Sequence, residues 1–116
     1  MGRDLPSSWS FYGAKEAIVD LQEFLFKNRD KLVKPQITCT DGFKISIQAS
    51  RGHYCIPRND VGPYTHVEVG YPSEPDPLLA EYAEDPVELT LTVYPYVPVG
   101  IVQQVIDKHG GMSDNK

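Results

Sequence analysis

The sequence is short of cations along nearly half its length. Between Asn59 and Asp107 there is no Lys or Arg, yet Asp60, Glu68, Glu74, Asp76, Glu81, Glu84, Asp85, Glu88 and Asp107 all fall there. Such a stretch cannot neutralise its own field through local ion pairs. It repels nucleic-acid phosphates and attracts basic surfaces over a Debye length of roughly 8–10 Å. Direct binding of nucleic acid by this half is therefore not expected. Cysteine is scarce as well: Cys39 and Cys55 are the only two, too few for a disulfide scaffold. No apolar run approaches the ~20 residues needed to span a bilayer, and the opening MGRDLPSSWSF has no apolar stretch of a secretory signal. Also missing are internal repeats, a Gly-x-Ser-x-Gly elbow and a phosphate-cradling glycine loop. These absences point to a soluble cytoplasmic protein with no membrane partner and no cofactor.

What is present describes one ordinary domain. The chain has 116 residues, 41% hydrophobic and 23% charged, which is globular rather than disordered composition. Its net charge of −5 divides into +3 over residues 1–58, −9 over 59–107 and +1 over the rest. Residues 1–12 read as an irregular arm, 13–111 as a single α+β domain and 112–116 as a frayed tail.

Helical periodicity runs from Ala14 to about Val33, with Ile18, Leu21, Leu25 and Leu32 on one face and Phe24 beside them. Pro35 is the expected stop. Residues 36–49 then read as a hairpin around Asp41-Gly42. A two-residue loop would oppose Phe43 to Thr40 and mix apolar with polar. A three-residue loop, Thr40-Asp41-Gly42, opposes Phe43 to Cys39 and Ile45 to Ile37, leaving one face wholly apolar. Burial fixes register, so the second is chosen, with Gly42 left-handed in a bulge.

Residues 50–64 carry turn signals at Arg51-Gly52, Pro57 and Gly62-Pro63 and form a long loop, a length associated with function. A strand over 65–71 is expected to turn Val67, Val69 and Tyr71 inward and His66 and Glu68 outward. After three prolines, Leu78–Ala83 reads as one helical turn. Val87, Leu89, Leu91 and Val93 then alternate with Glu88, Thr90, Thr92 and Tyr94 as a strand ended by Pro95. Pro98 opens a last helix with an Ile101, Val102, Val105 and Ile106 stripe, closed by Gly110-Gly111. The order predicts a four-stranded, mainly antiparallel sheet with both the N-terminal and the C-terminal helix packed on one face.

Chemistry then has a few places to sit. Outward strand positions gather Lys44, Ser46, Gln48, His66, Glu68, Glu88, Thr90, Thr92 and Tyr94 on a polar face, against which the alternative reading is a plain solvated surface. Arg51 and Arg58 offer guanidinium forks, and Tyr54 and Tyr64 offer stacking faces. With Gln48, His53 and His66 they form a candidate site for a small anionic ligand such as a nucleotide. Equally, both arginines pair with the acidic half instead. His53-x-Cys55 and His66-x-Glu68 place donors two apart, but paired zinc-type spacing is missing, so no metal is assigned. Cys55 beside a histidine is weighed as a nucleophile and His66 with Glu68 as an acid–base pair, neither as the leading reading. Cys39 reads as core, and no catalytic residue is assigned. Glu81, Glu84, Asp85 and Glu88 are the candidate contacts for a protein with a basic surface.

Two runs carry a resemblance: Gln48-Ala-Ser-Arg-Gly-His-Tyr-Cys-Ile-Pro-Arg58 and Gly62-Pro-Tyr-Thr-His-Val-Glu-Val-Gly-Tyr-Pro-Ser73, with Val93-Tyr-Pro-Tyr-Val-Pro98 and Lys108-His-Gly-Gly111 behind them. Together they cover about half the chain and resemble small phage and prophage accessory proteins of no assigned function. The resemblance implies a protein acting in a bacterial cytoplasm by binding a host protein, and it brings no catalytic residues.

Overall fold

A computed structural model describes residues 21–113. The arm at 1–12, the helical start at 14–20 and residues 114–116 lie outside the described residues. Residues 21–27 are helical (α1). Strands β1 (Ile37–Thr38), β2 (Lys44–Gln48), β3 (His66–Gly70) and β4 (Val93–Pro98) follow, and Val99–Lys108 forms α2. Between β3 and β4 lies a single 3-10 turn, Ala80–Tyr82. The four strands form one antiparallel sheet in the order β1-β2-β3-β4. An α+β architecture with an antiparallel sheet is thus present.

The first hairpin adopts the register that burial of one face demands. Ile37 pairs with Ile45 and Thr38 with Lys44. Gly42 N–H donates to Cys39 O at 2.9 Å, and Gly42 has φ +97, a conformation that costs glycine little. Ile45, Ile47, Val67, Val69 and Val97 from the sheet join Leu21 and Leu25 of α1 and Val102, Val105 and Ile106 of α2 in one core cluster. Burying each such side chain stabilises the fold by roughly 1.5–3 kcal/mol before entropy is counted.

Three expectations need correction. α1 ends at residue 27 rather than near Val33, and Leu32 is 63% exposed. The Asn28 side chain takes the Phe24 carbonyl at 2.8 Å and tighter bonds follow, Arg29 N–H to Phe26 O and Lys31 N–H to Asn28 O. This unwinding brings buried Lys34 against Gln48 of β2.

Tyr71 does not face inward. It is exposed with φ +48, and Gly70 before it is the last residue of β3.

The last strand is shifted as well. Residues 87–92 do not form it; β4 starts at Val93, opposite Gly70, and past that pair Tyr71 N–H still donates to Thr92 O at 3.1 Å. Val87 and Leu91 are consequently outside the core, and Tyr94, expected on the polar face, is fully buried. β4 runs on through Pro95 to Pro98, as a strand at the sheet edge can. A register shift between Val67 and Val69, with Tyr96 at φ +54, absorbs an extra residue.

α2 ends as its glycines require. Gly111 N–H donates to Ile106 O and Gly110 N–H to Asp107 O, with Gly110 left-handed at φ +89. The chain then pairs with β1: Met112 bridges Cys39, and Ser113 N–H donates to Thr38 O at 2.8 Å. Residues 112 and 113 thus pair alongside β1. His109 stacks on Phe43, ring centroids 3.9 Å apart, with its Nδ1 2.7 Å from Asp41 Oδ2.

Candidate functional site

The connector from β3 to β4 holds the acidic residues. Asp76 is buried: its Oδ1 accepts Leu78 N–H at 2.8 Å, and its Oδ2 lies 2.9 Å from Lys108 Nζ. Those bonds start the 3-10 turn and seat Leu79, fully buried, in the core. Beyond the turn, Glu84 N–H donates to Val93 O at 3.0 Å and Asp85 N–H to Thr92 Oγ1 at 3.0 Å. The Tyr94 hydroxyl donates to Leu89 O, and Asp85 Oδ1 accepts Val87 N–H. The loop across 84–92 is thus pinned at both ends, with residues 84–88 and Leu91 exposed and Thr92 buried.

Glu81, Glu84, Asp85 and Glu88 are all exposed. Among the described residues none of the four forms a salt bridge. Val87, 81% exposed, lies between Asp85 and Glu88, and Leu91, 69% exposed, follows Glu88. Sequence reasoning found the four acids and missed these two apolar tips, because alternation alone placed them on a strand. Pro86 ahead of Val87 and the three prolines after Tyr71 were the available signals that no strand begins there.

The 50–64 loop uses its polar groups on itself. Gln48, only 6% exposed, accepts Lys34 N–H through Oε1 at 2.7 Å. Its Nε2 donates to Lys34 O at 3.0 Å and Ser46 Oγ at 2.9 Å. Ser50 Oγ accepts Gly52 N–H at 3.0 Å and bonds His53 Nδ1 at 2.8 Å, and burial holds His53 below the usual imidazole range. Cys55 is buried with its thiol donating to Ser50 O, and burial raises its pKa, so it stays a thiol at neutral pH. Arg51 pairs with Asp60, whose Oδ1 also accepts Arg51 N–H at 2.9 Å. That backbone bond, with the guanidinium, holds the Asp60 carboxyl below the usual range.

Tyr64 is buried rather than available for stacking. Its hydroxyl donates to Asn59 O at 2.8 Å, and burial pushes it up to about 12. The Gln22 side chain bonds both its backbone carbonyl and its N–H. Arg58 is exposed and lies 5.5 Å from the Tyr54 ring centroid. Tyr54 in turn sits 5.7 Å from Tyr96 and donates its N–H to Glu68 Oε1 at 3.0 Å. His66 Nδ1 bonds Thr65 Oγ1 at 2.9 Å. Of the seven ligand candidates, then, the structure brings Tyr54 and Arg58 together in the open and commits Gln48, Arg51 and Tyr64 to internal partners.

No group of three or more His, Cys, Asp and Glu suited to a metal ion occurs among the described residues. Cys39 and Cys55 are both free thiols, and burial pushes Cys39 up to about 11. No helix among the described residues is long and apolar enough to cross a membrane.

Fold and surface together describe an α+β domain carrying a pinned acidic connector with two apolar tips. Compared with known protein families, with curated proteins and with solved structures, the chain matches none.

Proposed function

We propose that this is a non-enzymatic binding protein of phage type that engages a host protein with a basic surface in the bacterial cytoplasm. The observation that carries the reading is the exposed set Glu81, Glu84, Asp85 and Glu88, without described cations and interleaved with exposed Val87 and Leu91. Acidic groups left unpaired on a preformed loop steer a basic partner and set its register. Apolar tips at the centre supply the surface whose burial slows release. Pinning at both ends lowers the ordering cost of binding, since the loop need not fold on contact. This reading takes both helices to cover one face of the sheet, with the connector free at its rim.

The test is capture from bacterial lysate by the tagged full chain, against the variant E81Q/E84Q/D85N/E88Q. Each amide keeps one acceptor oxygen, enough at Asp85 for the bond to Val87 N–H, and removes the charge. The expected result is capture of one or a few basic proteins at low salt, weakened as salt rises and lost in the variant. Capture that is indifferent to both charge and salt would count against the reading.

A further inference from the structure

A groove of about 900 Å³ lies between α1 and the end of the long loop. Phe26, Val61 and Pro63 make it mostly apolar, and Phe26 and Val61 remain 50% and 51% exposed. Lys27 and Arg29 line it against one acid, Glu23. Arg29 is fixed there: its guanidinium lies 4.0 Å from the Phe26 ring centroid, and Nη1 donates to Phe26 O at 2.8 Å. Among the described residues neither Lys27 nor Arg29 has an ion pair. Among the described residues the groove therefore offers an apolar floor with two cations against one acid.

One element of the same chain has the opposite character. The 84–91 segment presents exposed Val87 and Leu91 on either side of Glu88, with Glu84 ahead of them, and it is pinned. We propose that the groove of one copy receives this segment of a second copy, Val87 and Leu91 against Phe26 and Val61, and Glu84 and Glu88 toward Lys27 and Arg29. Charge complementarity chooses the occupant, since the groove carries Lys27 and Arg29 and residues 59–107 carry acids with no Lys or Arg. A two-fold pair contains the contact twice, which doubles its strength without new chemistry. The inference uses the segment assigned above to partner binding, so self-association and partner capture compete for it.

Sedimentation velocity of the full chain over a concentration series tests this. Wild type is expected to gain mass with concentration and to lose that gain at high salt. K27E/R29E and E84K/E88K each reverse one side; neither Glu84 nor Glu88 uses its carboxylate in a described bond. Each double reversal is expected to weaken association about 10-fold or more. Mixing the two variants restores it, because the reversed groove then meets the reversed segment. Val87→Ser, which leaves every charge in place, is expected to weaken it as well. A wild type that stays monomeric at every concentration overturns the proposal, as does a mixture of reversals that stays apart. K27E/R29E leaves residues 81–88 intact, so the variant is expected to capture a basic partner while no longer self-associating. Failed capture by a self-associating wild type would overturn only the partner reading.

Discussion

Two irregular connectors of this chain solve opposite problems. The loop at 50–64 pairs polar groups within itself: Arg51 meets Asp60, Ser50 meets His53, and the Tyr64 hydroxyl reaches Asn59. The connector at 71–92 buries Leu79 and Asp76 and leaves Glu81, Glu84, Asp85 and Glu88 in water. The difference follows from what each can reach. The first contains cations of its own, whereas the second has no Lys or Arg and meets Lys108, which is spent on Asp76. Polar groups that find partners become structure, and those that do not remain available to another molecule.

The comparison breaks most easily at Tyr64. Its ring is buried and its hydroxyl donates to Asn59 O, so Tyr64→Ala leaves a cavity and takes the donor away from that carbonyl, while the backbone bonds to Gln22 remain. Chemical denaturation should show a loss of about 3–5 kcal/mol. Gln48→Ala comes next. It strands the buried Lys34 N–H and carbonyl, each bonded to the Gln48 amide, at an expected cost of about 1–3 kcal/mol. A neutral Tyr64→Ala would mean that the loop is not held by its own bonds, and a neutral Gln48→Ala would mean that the Lys34 segment is not held to β2 by that amide.

Much of this was legible in the residues, for reasons that differ from place to place. The Asp41-Gly42 hairpin could be read to its register because only one pairing buries Ile37, Cys39, Phe43 and Ile45 on one face. The α2 stripe and its Gly110-Gly111 end are local signals and appear where expected. The strand over 87–94 could not be read correctly, since alternation says nothing about whether a neighbouring strand exists. Its absence depends on β3 ending at Gly70, and β3 ends because Tyr71 turns left-handed ahead of Pro72. Gln48 looked like a surface residue by parity, but the segment around Lys34 folds over it. The groove beside α1 was invisible too, because residues 26 and 61 meet only through the tertiary fold.

Asp60 sharpens the contrast through pH. Its carboxyl is held below the usual range by the Arg51 backbone N–H and then by the guanidinium, so ionised Asp60 favours the folded state. A lowered folded pKa gives stability that is present above the unfolded value, about 3.9, and lost as pH falls through the folded one. Wild type should therefore exceed Asp60→Asn by a constant margin in melting temperature above about pH 5. That margin should shrink steadily in more acid buffer. A margin unchanged down to strong acid would remove the Arg51–Asp60 pair from the account.

The smallest effect is expected where the functional reading is strongest. E81Q/E84Q/D85N/E88Q changes four exposed side chains and keeps the Asp85 acceptor for Val87 N–H, so each replacement should shift stability by no more than about 0.5 kcal/mol. Relief of mutual repulsion along a cation-free segment sets the sign: the variant should be equally stable or slightly more stable at low salt, and the gain should fade as salt is added. D85A in the same segment separates charge from hydrogen bonding, since it also removes that acceptor and should destabilise where D85N does not. Denaturant midpoints of the three chains at two salt concentrations decide the point. A clear loss of stability in the four-site amide variant would mean that these carboxylates hold the fold together, and the contrast between the two connectors would collapse.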